Sequence, residues 1–136
     1  MSLGHYPPIF LAALAAFLIG AVWYSPLLFA KAWVRVHGYT QEALAAMRAK
    51  APKTYAASFV AFLVMAAVLH IILAHLGVES ASAGASWGFH LWLGIAAPIG
   101  FTANLYSDKP FAAFLIDTGY QLAYLLAMGA ILGSWH

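Results

Sequence analysis

Four polar side chains at helical spacing are the residues of this sequence best placed to do chemistry in an apolar core. They are Asp117, Tyr120, Gln121 and Tyr124, at i, i+3, i+4 and i+7, which puts them on one face of a helix. A carboxylate in an apolar helix costs about 2.5 to 3.5 kcal/mol, so we expect it to face a bundle interior and to have a hydrogen-bonding partner. This stripe fits either a relay for protons or ions, or hydrogen-bonded packing between helices.

A second polar group interrupts the first apolar stretch, in the sequence WYSPLLF at residues 23–29. Pro26 has no N–H, so the carbonyl of Val22 loses its helical donor and must be satisfied by a hydroxyl or a neighbouring group. Tyr24 and Ser25 are the nearest donors. This segment predicts a kink that either shapes the bundle or lines a polar cavity.

The two polar groups are predicted to meet near one end of the bundle. Counting outward from the turn YSDKP places Asp117 level with Gly100, and Asn104 lies one turn away on the same face. We therefore expect Asp117 to form hydrogen bonds with Asn104 and Ser25. The other groups that reach a similar depth from the first stretch are Tyr24, Lys31 and Arg35.

The histidines raise the question of metal or haem binding, because imidazoles from different helices are ligands for zinc, copper and haem. His75 and His90 flank one loop, and His5 and His136 belong to the same end of the bundle. His70 points about 140° away from His75 on a straight helix, so these two do not share an ion. The alternative is that the histidines are polar anchors, and we predict no resident metal or cofactor.

Catalytic motifs are absent from the sequence. It contains no nucleophile elbow, P-loop, HExxH sequence or pair of facing carboxylates. The absence of cysteine excludes a thiol nucleophile, a disulfide framework and a cysteine-based metal centre. We therefore expect a protein that is not an enzyme.

Composition places these side chains in a lipid bilayer. Hydrophobic residues make up 65% of the chain and charged residues 7%, and the mean hydropathy is +0.86, so the chain cannot supply the charged surface of a soluble domain. The net charge of +2 does not indicate nucleic-acid binding, because five of the 6 Lys and Arg residues lie in the single segment 31–53.

Four stretches are long and apolar enough to cross a bilayer core of about 30 Å. We predict one all-α domain over residues 1–136, with four transmembrane helices in an antiparallel bundle. The predicted spans are residues 9–30, 54–77, 86–106 and 110–135. Between the first two, TQEALAAMRAK starts at the cap-type residue Thr40 and stops before Pro52, which predicts a short amphipathic helix on the cytoplasmic surface.

The basic residues predict the orientation. Those between the first and second spans are Lys31, Arg35, Arg48, Lys50 and Lys53. Lys109 lies between the third and fourth spans, whereas the loop VESASAGAS has no basic residue. By the positive-inside rule, both termini face away from the cytoplasm. Trp33 on the cytoplasmic side and Trp92 on the other fit two aromatic belts.

Small residues form a further pattern. Ala12, Ala16 and Gly20 recur every four residues in the first span, and GAILG places Gly129 and Gly133 in a GxxxG arrangement in the last. Such faces let helices approach closely. The contacts they predict lie either within the bundle or between subunits.

Two long motifs carry a resemblance to a known family. GAVWYSPLLFAKAW in the first span and FLIDTGYQLAYLLAMGAILGSW in the last resemble the bacterial membrane family known as domain of unknown function 1761, over nearly the whole chain. The resemblance implies a small integral protein of a bacterial cytoplasmic (inner) membrane with no assigned activity. It implies no catalytic residue, and the family pattern has Asn more often than Asp at position 117.

Three functional hypotheses follow. The first is a non-enzymatic protein that contacts membrane lipids and forms a homo-oligomer or joins a larger membrane complex through its small-residue faces. The second is a small transport or permeation unit that uses the Asp117 stripe. The third is a metal or haem protein that uses the outer histidines. We favour the first, because no conduction path is visible in the sequence.

Overall fold

The computed structural model describes residues 6–135, and the regular structure within them is entirely helical. The helices are α1 (Tyr6–Trp23), α2 (Ala30–His37), α3 (Gln41–His75), α4 (Ala81–Leu91), α5 (Ala97–Tyr106) and α6 (Phe111–Ser134), and the π-helical turn Trp92–Ala96 joins α4 to α5. Three of them, α1, α3 and α6, are long and apolar enough to cross a membrane by length and composition. The predicted all-helical class is therefore confirmed.

Helix α6 lies at the centre of the fold. It makes its most extensive contact with α4 and packs on another side against α1, which also packs against α3. The core between these helices is almost wholly hydrocarbon. Its buried members are Ile9, Ala12, Ala16, Ala66, Leu69, Leu73, Tyr124, Leu125, Met128 and Leu132.

The first helix is shorter than the predicted span 9–30, because it ends at Trp23. Pro26 removes the N–H that the Val22 carbonyl needs and disfavours helical geometry in the residue before it. The chain therefore breaks into an elbow, residues 24–29, before α2 begins at Ala30. The expected kink is in fact a complete interruption between two helices.

Helix α3 is longer than predicted, because the expected surface helix and the second span form one helix of 35 residues. Thr40 caps it as expected, since its Oγ1 accepts the backbone N–H of Ala43 at 3.1 Å. The prediction that the first part stops before Pro52 is wrong. Pro52 cannot donate to the Arg48 carbonyl, but both residues are exposed, so this carbonyl is not left unsatisfied in a buried position. The surrounding alanines favour continuation of the helix.

The third predicted span, residues 86–106, contains a wide turn. Pro98 cannot donate to the carbonyl of Gly94, four residues earlier. The backbone shifts locally to a π-helical pattern, in which the N–H of Ala97 donates to the carbonyl of Trp92, five residues earlier. The span therefore consists of α4, the π turn and α5, and none of these is long enough by itself to cross a membrane.

The small residues of α6 contact α4 of the same chain. A Cβ atom built on Gly129 would overlap the carbonyl oxygen of Gly84, and one on Gly133 would overlap that of Ser80. Gly88 approaches the backbone of Leu125 in the same way. The GxxxG pair of the last span thus packs within the bundle, against a second pair with the same spacing, Gly84 and Gly88, that the sequence analysis missed.

We predict that Gly84→Ala destabilises the protein by about 1 to 3 kcal/mol, because a methyl group there forces two backbones apart. The control is Gly94→Ala in the π turn, where an added Cβ meets nothing within 4 Å. Thermal unfolding of the purified proteins in mild detergent measures both. Equal melting temperatures for the two variants would show that the α4–α6 contact is not close.

Candidate functional site

The elbow after α1 brings polar side chains to one end of the bundle. Its hydrogen bonds replace those that Pro26 removes: the Ser25 hydroxyl donates to the Val22 carbonyl at 2.6 Å, and Ser25 Oγ accepts the N–H of Leu27 at 3.3 Å. The expectation that a nearby hydroxyl satisfies the Val22 carbonyl is confirmed. This arrangement frees Tyr24 to turn towards α6.

Asp117 on α6 accepts hydrogen bonds from three aromatic side chains, which with it form what we name the Asp117 cluster: Tyr24, Trp33, His37 and Asp117. The Tyr24 hydroxyl donates to Oδ1 at 2.6 Å and the Trp33 indole N–H donates to the same oxygen at 3.2 Å. His37 Nε2 lies 3.3 Å from Oδ2 and donates to it in the Nε2–H tautomer. A carboxylate has roughly four acceptor positions, so most of them are filled.

Helix α2 presents two members of the cluster because Trp33 and His37 are four residues apart and share one face. The helix ends at Gly38, whose φ of 70° is the left-handed conformation that favours glycine at this position. The chain then turns so that Tyr39 stacks on His37, with ring centroids 5.2 Å apart and planes 3° from parallel. Lys109 of the α5–α6 turn donates to the His37 carbonyl at 3.3 Å, which joins the two connections at this end.

Two expected partners of Asp117 lie elsewhere. Asn104 donates its Nδ2 hydrogen to the Lys109 carbonyl at 3.1 Å and so closes the α5–α6 turn, while Ser25 is occupied within the elbow. Gly100 does face α6, but a Cβ on it would lie 3.4 Å from Phe114 and 3.9 Å from Gln121 Oε1. Asp117 points away from α5, towards the elbow and α2.

The two tyrosines of the stripe on α6 pack against α1 and α3. The Tyr120 hydroxyl donates to the Ala16 carbonyl at 2.7 Å, and Gly20 leaves room for that ring, since a Cβ there would lie 2.7 Å from the hydroxyl. Tyr124 is buried and packs against Phe62 of α3, with ring centroids 5.4 Å apart. The small-residue face of α1 therefore receives a tyrosine.

Three indoles donate hydrogen bonds to three consecutive residues of α6, an arrangement we name the tryptophan collar: Trp23, Trp33 and Trp92. Trp23 donates to the Ile116 carbonyl at 2.9 Å, Trp33 to Asp117 as described, and Trp92 to the carbonyl and hydroxyl of Thr118 at 2.8 and 3.1 Å. Trp92 thus lies at the depth of Trp33. Its assignment to the opposite aromatic belt is wrong, because its partly buried indole N–H donates to α6 one residue from the position that Trp33 contacts.

The histidines at the other end bond to their own helices. His75 Nδ1 lies 2.9 Å from the Ile71 carbonyl and His90 Nδ1 lies 2.7 Å from the Ser86 carbonyl. Between residues 6 and 135, no group of three His, Cys, Asp or Glu side chains is arranged to hold a metal ion. The predicted outer positions of His5 and His136 lie outside the described residues.

The Asp117 cluster is partly open to its surroundings. The Asp117 side chain is 37% exposed and that of His37 11% exposed. The hydrogen bond from the Tyr24 hydroxyl to Asp117 is partly buried. His37 Nδ1 is buried and has no hydrogen-bond partner among residues 6–135. The cluster therefore consists of one acceptor, the Asp117 carboxyl group, and three donor side chains, and one of these carries a ring nitrogen without a hydrogen bond.

We predict that Asp117→Leu destabilises the protein by about 1 to 3 kcal/mol, because it leaves the donors of Tyr24, Trp33 and His37 without their acceptor. Asp117→Asn keeps Oδ1 as the acceptor for Tyr24 and Trp33, and its amide N–H donates to His37 Nε2 in the other tautomer, so we expect it to be nearly neutral. Thermal unfolding in mild detergent measures both changes.

The control for this comparison is Thr102→Val. The Thr102 hydroxyl is exposed and donates only to carbonyls of its own helix, those of Pro98 and Ile99, so we expect a change within about 0.5 kcal/mol. Melting of Asp117→Leu that matches the Thr102→Val control would contradict a holding role for the carboxylate.

Comparison with known proteins gives one positive result. No curated protein and no solved structure matches the chain. The profile of the family described as "Protein of unknown function (DUF1761)" matches residues 7–133, which span the elbow, the Asp117 cluster and the α4–α6 contact. The chain therefore belongs to the family of domain of unknown function 1761.

Proposed function

We propose that the protein is a small, non-enzymatic integral membrane protein that forms an oligomer or serves as an accessory subunit of a larger membrane complex. It has four transmembrane crossings in an antiparallel bundle. The helical run from Ala81 to Tyr106, roughly 39 Å long at 1.5 Å per residue, supplies the crossing between α3 and α6.

The proposal that the protein neither conducts ions nor catalyses a reaction rests on one observation: the polar network does not continue along the bundle. The donors of the Asp117 cluster end on the carboxylate, and the next hydroxyl along α6, that of Tyr120, ends on a backbone carbonyl. Beyond Tyr124 the core consists of side chains such as Leu69, Leu73 and Met128. A path for protons or ions needs polar groups through this layer.

The surface of α3 supports a partner. Of the most apolar 18-residue window of α3, 17% is buried within the chain, against 39% for α6. Val60, Val64 and Val68 lie four residues apart on an outward face and are 58%, 60% and 49% exposed. Because Gly129 and Gly133 of α6 are already packed against α4 and its cap, a subunit contact falls to this valine face of α3.

The chain contains no cysteine, so we predict that Val64→Cys in native membranes gives a disulfide-linked dimer on mild oxidation if the oligomer forms through α3. The matched control is Ile99→Cys on α5, which is 63% exposed and is expected to remain monomeric. Gel mobility without reductant measures the product. If the protein instead belongs to a hetero-complex, a second chain co-purifies with it at fixed stoichiometry in mild detergent. Mass spectrometry identifies that chain.

A monomer in both experiments, with no stoichiometric partner, would contradict the proposal. An absorption spectrum of the same sample tests the third hypothesis, because a bound haem would give a Soret band. Among residues 6–135, neither His75 nor His90 belongs to a group of three His, Cys, Asp or Glu side chains that could hold a metal ion.

A second candidate, a proton-linked transport unit, is favoured by one observation, the buried Nδ1 of His37 beside a partly exposed Asp117. In that case Asp117→Asn would fold normally and abolish a pH-driven flux in reconstituted vesicles, since an amide does not carry the proton. Our proposal expects no flux above that of empty vesicles for the unmodified protein.

We further predict that both termini lie outside the cytoplasm of a bacterial inner membrane. Lys109 contacts the end of α2, so the two basic connections share one end of the bundle, and the positive-inside rule assigns that end to the cytoplasm. Reporter fusions after residue 136 and within residues 40–50 measure the orientation. Cytoplasmic reporter activity at the C-terminus would reverse the assignment.

A further inference from the structure

The elbow between α1 and α2 carries an open groove that the Asp117 cluster does not use. Its volume is about 360 Å³, and its lining consists of Pro26, Ala30, Lys31, Val34 and Arg35. Almost all of this lining is hydrocarbon, which includes the stems of the two cationic side chains. The groove therefore combines an apolar floor with two positive charges.

The two charges lack an ion-pair partner in the described part of the chain. Lys31 and Arg35 are exposed, and neither forms an ion pair with any carboxylate of residues 6–135. They are four residues apart on α2, which brings their Cβ atoms to about 6 Å, and like charges at this spacing destabilise a helix. An anion between them removes that repulsion, and a phosphate group accepts hydrogen bonds from both side chains.

The apolar floor identifies the kind of anion. A soluble phosphate ion would leave Pro26, Ala30 and Val34 without a contact, whereas a phospholipid offers a phosphate and a hydrocarbon chain together. The neighbouring elbow residues Leu27 and Leu28 are 87% and 51% exposed, as expected for apolar side chains that reach into the edge of a bilayer.

We propose that this groove binds one anionic phospholipid, with its phosphate between Lys31 and Arg35 and an acyl chain along Pro26, Ala30 and Val34. The site lies on the side of α2 next to the face that holds Asp117, so α2 is fixed to α6 on one side and to a lipid on the other. The inference needs the membrane placement of the protein and is independent of its accessory role.

The test uses the full chain, purified and delipidated in mild detergent, with phosphatidylglycerol or phosphatidylcholine of identical acyl chains added. Native mass spectrometry measures the fraction of protein with one bound lipid as the lipid concentration rises. We expect a one-to-one complex with phosphatidylglycerol at lower concentration than with phosphatidylcholine. The variant Lys31→Gln/Arg35→Gln is expected to weaken the phosphatidylglycerol complex about 30-fold, since each cation contributes roughly a factor of five.

The matched control is Arg48→Gln/Lys50→Gln, which removes the same charge from exposed positions of α3 that do not line the groove. This variant is expected to bind phosphatidylglycerol as the unmodified protein does. Ala30→Phe keeps both cations and fills the apolar floor, so it is expected to weaken binding as well, and it tests the site even if the charge variant folds poorly.

Glycerol phosphate in excess separates a lipid from its soluble headgroup. We expect it to leave the phosphatidylglycerol complex intact, because it does not cover the apolar floor. The proposal is overturned by equal binding of the two lipids, by equal losses in the two double variants, by unchanged binding in Ala30→Phe, or by complete competition from glycerol phosphate.

Discussion

The position of α2 and of the elbow depends on one requirement, that a carboxylate in an apolar helix must find hydrogen-bond donors. Asp117 finds them in Tyr24, Trp33 and His37, which come from outside the long helices. Helix α2 has only 8 residues and packs mainly against α6, so isolated it would be marginal in water. The carboxylate therefore gives a short amphipathic helix a fixed place on the bundle. In turn, α2 covers part of a polar side chain on an otherwise apolar helix.

The same requirement explains why polar contacts concentrate at one end. The elbow, the end of α2 and the α5–α6 turn meet there, and Lys109 joins them through the His37 carbonyl. Farther along α6 from that end, the bundle relies on close approach of backbones, with Gly84 against Gly129. Hydrogen-bonded packing and small-residue packing thus operate at different levels of the same helix, α6.

Periodicity and composition predicted the helical class, the α1, α3 and α6 spans, the cap at Thr40 and the inward orientation of the Asp117 stripe. These features depend on the chain locally, or on the cost of exposing charge to lipid. The partners of Asp117 could not be ranked in this way, because Asn104 and Ser25 were equally good donors until their local acceptors, the carbonyls of Lys109 and Val22, were known.

Two features of the structure could have been predicted from the sequence. A helix break before Pro26 and a new helix from Ala30 place Trp33 and His37 on one face, which would have made them candidates. Gly84 and Gly88 repeat the spacing of Gly129 and Gly133. The π turn was less predictable, since Pro98 allows either a kink or a wide turn, and the backbone bond from Ala97 to the Trp92 carbonyl identifies the wide turn.

The tryptophan collar has a mechanical consequence for α6. Successive residues of an α-helix project about 100° apart. The indoles that donate to Ile116, Asp117 and Thr118 therefore contact the helix from three directions. A rotation of α6 about its own axis that shortens one of these bonds lengthens another, and the azimuth of the helix is fixed. The three hydrogen bonds therefore restrict rotation of α6 relative to the elements that carry the indoles. A change of shape falls more readily to the peripheral helices, among them α3, whose most apolar window has a smaller buried share than those of α1 and α6.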